Sequence, residues 1–221
     1  MHLRHGHRGD GHHEDGHRRR WNRLHGNQPA AFAGRSSRFY DVVARRLFRG
    51  VYRGLAADIA ASAPPDASVL DVGTGPGVLL AELARSRPDL RIVGIDLSED
   101  MVGAANRNLA PFADRASAQV ADVTDLPFAD DEFDLVVSSI SLHHWDHPEA
   151  AVGELDRVVR PGGQVWIYDF AFAPFDTLVS EAWNRSLFGG APAQRAPVRT
   201  RSWFFPNYVK LTLTTAPVSG Q

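Results

Sequence analysis

Three aspartates and a pair of histidines are the side chains of this sequence whose types and spacing suggest chemistry. Asp71 lies in Val69-Leu-Asp-Val-Gly-Thr-Gly-Pro-Gly-Val78, two residues before Gly73. Asp96 closes the apolar run Arg91-Ile-Val-Gly-Ile-Asp96, and Asp122 follows the run over 116–121. A carboxylate that ends the second strand of a doubly wound sheet can accept hydrogen bonds from a ribose diol. One placed after the third strand, as Asp122 is, can meet an adenine amino group. His143 and His144 come after a further apolar run, Phe133-Asp-Leu-Val-Val. Imidazole takes up a proton near neutral pH, which makes both histidines general-base candidates. The plainer alternative is that one is structural, or that both only shape a pocket.

The glycines decide which ligand the aspartates serve. Gly73, Gly75 and Gly77 alternate between an apolar strand pattern and the helical pattern that resumes at Val78. Strand, glycine turn, helix brings backbone close to a ligand at the carboxyl edge of a parallel sheet. A dinucleotide fingerprint requires G-x-G-x-x-G/A; counted from Gly73, its last position is Val78. No other device for binding pyrophosphate is evident, and the neighbouring carboxylates would disfavour one. A ligand with ribose and adenine, no phosphates and a cationic centre fits better. Asp71 capping the turn without touching ligand remains the alternative.

These residues need a frame. Strand patterns run over 67–72, 90–95, 116–121, 133–139 and 163–170, and helical patterns over 77–86, 99–109, 148–159 and 175–188. Continuous apolar runs such as Val165-Trp-Ile-Tyr suit strands buried on both faces, as in a doubly wound α/β sheet. An earlier helix is read from Phe39, Val43, Leu47, Val51, Leu55 and Ile59, ending at Pro64-Pro65. Asp146 and Glu149 have capping-box spacing, with Pro148 in the first turn. Gly162-Gly163 predicts a tight turn into the fifth strand. Residues 202–205 and 209–214 predict a terminal antiparallel pair.

Composition bounds the rest. The net charge is −2, which gives no whole-chain case for nucleic acid. With no cysteine, disulfides, thiolate nucleophiles and cysteine-based zinc sites are excluded. No apolar run approaches the roughly 18 residues that span a bilayer, and no secretory h-region is present. The expectation is a cytoplasmic protein. Residues 1–30, rich in His, Arg and Gly, predict a disordered tail. Metal binding through its imidazoles is the sharper alternative, but no metal is assigned. Residues 31–221 are read as one domain.

Taken together and in order, several segments resemble the class I S-adenosylmethionine-dependent methyltransferases. The resemblance is greatest to the ubiquinone/menaquinone C-methyltransferase (methyltransferase type 11) group. It covers about 38–171, through the glycine turn, Gly94-Ile-Asp-Leu-Ser, Ala121-Asp-Val-Thr-Asp-Leu-Pro-Phe, Phe133-Asp-Leu-Val-Val-Ser, Leu142-His-His-Trp and Val159-Arg-Pro-Gly-Gly. The resemblance implies a seven-stranded, mostly parallel sheet of order 3-2-1-4-5-7-6 with strand 7 antiparallel. It implies S-adenosyl-L-methionine as cofactor, with Asp71, Gly73, Gly75 and Gly77 around the methionine end. Asp96 would bind the ribose, Leu97 and Met101 would lie against adenine, and Asp122 and Val123 would hold its edge. Ser138 to Ser141 would floor the pocket, and Tyr40 would close over it. Acceptor specificity falls to 31–62 and to the aromatic-rich 171–200, which suit a small hydrophobic or aromatic molecule. A non-catalytic, cofactor-binding regulator on the same fold is the competing function. A homodimer is one assembly left open.

Overall fold

A computed structural model describes residues 50–198 and 208–217. Helix α1 occupies residues 50–62 and buries Val51, Leu55 and Ile59, the described part of the four-residue stripe. Phe39, Val43 and Leu47, the earlier part, lie outside the described residues. The α1 carboxyl end is capped by Arg87, whose guanidinium donates to the carbonyls of Ala60, Ala63 and Pro64.

Seven strands follow: β1 (Ser68–Val72), β2 (Arg91–Asp96), β3 (Ala116–Val120), β4 (Phe133–Ser139), β5 (Val159–Phe170), β6 (Gln194–Val198) and β7 (Tyr208–Thr214). They form one sheet of order β3-β2-β1-β4-β5-β7-β6. The first five are parallel, and β7 runs antiparallel between β5 and β6. This is the expected order. Crossovers are made by α2 (Val78–Ser86), α3 (Glu99–Leu109) and α4 (Pro148–Val158), with α5 (Phe175–Asn184) after β5.

Each face of the sheet carries its own core because side chains alternate along a strand. Val69, Leu135 and Val137 pack with α1, α2 and α3. Leu70, Val72, Val136 and Ile167 pack with α4 and α5. Successive connections leave β1 on one side and β4 on the other, so the order reverses between these two strands. Their carboxyl ends open the crevice where ligands settle in such sheets.

Three local expectations need correction, and one further strand is present. Pro161-Gly162-Gly163 is not a turn before β5 but an irregularity inside it, with the β4 register shifting between Phe133 and Leu135. Gly163 belongs there because a Cβ would stand 2.8 Å from the Asp134 carbonyl oxygen. A strand not expected, β6, lies at 194–198, and the expected strand at 202–205 falls outside the described residues. Helix α4 is capped by His147, with no side-chain cap bond, so Asp146 does not close a capping box. Helix α5 stops at Asn184, and residues 188–190 make a separate 3-10 turn. No helix among the described residues is long and apolar enough to cross a membrane.

Candidate functional site

The glycine turn is held from below by β2. The Gly73 and Thr74 amides both donate to the Ile95 carbonyl at 2.9 Å, and the Gly75 amide donates to Asp96 Oδ2 at 2.8 Å. Asp96 Oδ1 accepts from the Ser98 amide at 2.9 Å. Ser98 in turn caps α3 through Met101. One carboxylate therefore fixes both the glycine turn and the start of α3, and an ionised carboxylate has lone pairs left for further donors. The backbone is left-handed at Gly73, Gly75 and Gly77, with φ of 71°, 54° and 71°. At Gly75 nothing lies within 4 Å of where a Cβ would stand. This is the open side of the turn, where a ligand can reach the backbone.

Polar atoms around the turn lack protein partners. Among the described residues, neither carboxylate oxygen of the fully buried Asp71 has a hydrogen-bond partner, nor do the Thr74 and Ser138 hydroxyls. Burial pushes the Asp71 carboxyl up to about 7, and the Asp96 charge adds to it. The folded carboxyl keeps its proton above the pH at which the unfolded one, near 3.8, has lost it. Stability is thus full below about pH 4 and falls as pH rises through about 7, at about 1.4 kcal/mol per pKa unit. Asp71→Asn, neutral at every pH, is expected to flatten that decline and to raise the melting temperature at pH 8. A melting curve equally pH-dependent in both proteins would show that Asp71 is not its source.

Next to Asp96, Leu97 and Met101 are 71% and 41% exposed. They offer apolar surface at the mouth of the crevice. The β3 loop is tied in through the Ala121 amide, which donates to the Asp96 carbonyl at 3.2 Å. Asp122 is exposed, and its Oδ1 accepts from the Thr124 amide and hydroxyl at 2.8 Å. Val123 packs against the second core. Tyr40 lies outside the described residues.

On the acceptor side, β4 ends in Ser138 and Ser139, followed by Ile140 at φ 55°, a left-handed conformation rare for a β-branched residue. The turn presses Ser141 against Gly73; a Cβ on that glycine would stand 1.9 Å from Ser141 Oγ. Ser141 Oγ accepts from the Trp145 indole at 3.0 Å. His143 and His144 sit on the 3-10 turn Leu142–His144. The His143 ring is 6% exposed and its Nδ1 lies 2.8 Å from Oδ1 of the buried Asp169. His144 is exposed and its ring lies against that of His143, centroids 4.0 Å apart.

Asp169 is the site residue that sequence reasoning missed. Its signal was one carboxylate inside the otherwise apolar Val165-Trp-Ile-Tyr-Asp-Phe170. The aromatic segment divides. Phe175 and Phe188 are core and Leu187 packs against it, whereas Phe172 and Trp183 are 58% and 70% exposed. Trp203, Phe204 and Phe205 fall outside the described residues. No cluster of His, Asp or Glu among the described residues could hold a metal ion.

A seven-stranded sheet of this order, with a glycine turn and a carboxylate at the β1 and β2 edges, defines the class I methyltransferase architecture. Residues 70–167 match the family described as "Methyltransferase domain". It is 36% identical over 114 residues to a ubiquinone/menaquinone biosynthesis C-methyltransferase of Geotalea daltonii, covering 50% of this chain and 48% of that protein. It is 41% identical over 106 residues to the demethylmenaquinone methyltransferase of Clavibacter sepedonicus, covering 48% and 42%. The chain thus spans about half the length of these curated relatives or less. Among solved structures, a Methanococcus maripaludis protein provisionally assigned as an S-adenosyl-L-methionine-dependent methyltransferase superposes with a TM-score of 0.65 at 20% identity. That match covers 88% of this chain and 99% of the other, and it speaks to the fold alone.

Proposed function

We propose that the chain binds S-adenosylmethionine along the β1–β2 edge and transfers its methyl group to a small hydrophobic or aromatic acceptor. The observation that carries this reading is Asp71, a buried carboxylate with no partner among the described residues, beside a glycine turn open at Gly75. Such a group is costly unless a cation pairs with it. The cofactor has an α-amino group to offer there, a ribose for Asp96, and an adenine for Leu97, Met101 and the Asp122–Val123 segment. Its methyl group is carried on positively charged sulfur and is already activated for displacement. The work left to the chain is alignment, exclusion of water and, where the acceptor requires it, removal of a proton. Ser138 lines the floor, its buried hydroxyl without a partner among the described residues.

The reading is tested by calorimetry with S-adenosylhomocysteine, where saturable one-to-one binding is expected. Absence of binding by the full chain would sink it. Mass spectrometry of candidate acceptors incubated with S-adenosylmethionine then separates an enzyme from a binding protein, an adduct heavier by one methylene unit being the expected product.

A further inference from the structure

We infer that Ile140 is a positioning residue: its left-handed backbone holds the turn that carries His143 against the glycine turn, so that a cofactor seated there also sets the acceptor side. This rests on the methyl-transfer reading above. Ile140 has φ 55°, a conformation that a branched Cβ makes costly. Asp66, Asp131 and Ser186 also have positive φ, but each is a short polar residue in an exposed position. Phe188, the other bulky case, lies in the 188–190 turn. Ile140 alone of the five stands between β4 and the turn of His143.

The strained residue reverses the course of the chain. Along β4, Leu135 and Val137 face the first core and Val136 the second, so strand alternation assigns position 140 to the second. Ile140 packs against the first core instead, and the fully buried Leu142 enters the second. The chain therefore crosses from one face of the sheet to the other within three residues. Between these two anchors Ser141 is laid on Gly73, so closely that a Cβ on the glycine would stand 1.9 Å from Ser141 Oγ. The rest of the turn is tied to β5 and to itself. The Ile140 amide donates to the Tyr168 carbonyl at 2.7 Å, the His143 amide donates to Asp169 Oδ2 at 3.1 Å, and the Trp145 indole donates to Ser141 Oγ at 3.0 Å. Strained backbone persists where its surroundings over-determine it, and such places cluster at functional sites. Glycine at position 140 would adopt this φ at no cost, but it would admit many other conformations as well. The isoleucine side chain, anchored in the first core, leaves one. A ligand on the glycine turn stiffens Gly73, and Ser141 passes that restraint to the His143 amide.

The test follows amide hydrogen exchange of His143 by NMR in the full chain, with S-adenosylhomocysteine as the probe. In the native protein, saturating probe should slow that exchange at least about tenfold by suppressing local opening. Ile140→Gly should speed it at least about tenfold without probe, and probe should then slow it less than about twofold. Ile140→Val, which keeps the branched side chain, should behave as the native protein does. Melting temperature separates positioning from plain destabilisation. Ile140→Ala retains the strained φ and Ile140→Gly relieves it, so the glycine variant should melt at or above the alanine one, the reverse of the usual order. A glycine variant that melts below the alanine variant overturns the inference. So does native-like His143 exchange in Ile140→Gly, or bound probe that leaves the native His143 exchange unchanged. Each of these outcomes can arise with S-adenosylhomocysteine binding intact. Absence of that binding in the native chain fails the methyl-transfer reading instead, while the probe-free exchange rates and the melting order still decide whether Ile140 holds the turn.

Discussion

Replacing Asp96 by alanine is expected to weaken S-adenosylhomocysteine binding by at least about a hundredfold. Two backbone amides, those of Gly75 and Ser98, donate to this one carboxylate. Bonds to a charged group contribute about 1.5–3 kcal/mol each. Losing them frees the glycine turn and the start of α3 before any ligand contact is counted, and about 2.8 kcal/mol is already a hundredfold in affinity. Asp96→Asn keeps an acceptor and should bind better than Asp96→Ala. Calorimetry decides the matter; an alanine variant within tenfold of the native affinity would remove Asp96 from the site.

The second large effect separates two glycines that look equivalent in sequence. Gly73→Ala puts a methyl group 1.9 Å from Ser141 Oγ and 2.6 Å from its Cβ, in a left-handed backbone. The conformation alone costs an L-residue about 1–2 kcal/mol, and relieving the clash would push the Ile140 to Trp145 turn away. With about 3 kcal/mol or more in total, the melting temperature should fall by roughly 6–12 °C. Adding Ser141→Gly should restore the part due to the clash and leave the part due to φ. Gly75→Ala has the same backbone problem but no neighbour within 4 Å. It should melt only a few degrees lower while losing most of its affinity for S-adenosylhomocysteine. If both glycine variants instead lose stability equally and affinity equally, the turn is a structural element and the open side of Gly75 is not a ligand face.

Much of this frame was legible because burial wrote it into the sequence. The strands β1, β2, β4 and β5 are covered on both faces and therefore read as apolar runs, and Gly73, Gly75 and Gly77 stand where the turn requires left-handed backbone. Strand β6 went unread for the opposite reason. Gln194 to Pro197 are exposed at the sheet edge, so no alternation marks them. The start of β5 was lost because Pro161-Gly162-Gly163 is turn chemistry used inside a strand. At the site, Asp71 and Asp96 were legible from spacing, but the grip of Asp169 on His143 joins residues 26 apart and has no periodic signature. The aromatic stretch misled in part, since composition does not distinguish core Phe175 and Phe188 from exposed Phe172.

The placement of β7 has a consequence for how the chain is made. This strand is the latest of those described, yet it lies inside the sheet, pairing with β5 from Gln164 to Phe170 and with β6 on its other side. It also carries Lys210, which donates to Asp58 on α1 at 2.8 Å, while Tyr168 donates to the same carboxylate from β5 at 2.7 Å. A nascent chain that has reached β6 therefore has an open, apolar β5 edge and a first helix whose lysine partner is still to be synthesised. Such edges recruit other strands, and closing contacts across so much sequence is slow. Among the described strands, the last to be synthesised thus enters the sheet by insertion rather than by addition. A chain truncated before Tyr208 would retain the glycine turn and the His143–Asp169 pair but present the β5 edge to every neighbour it meets.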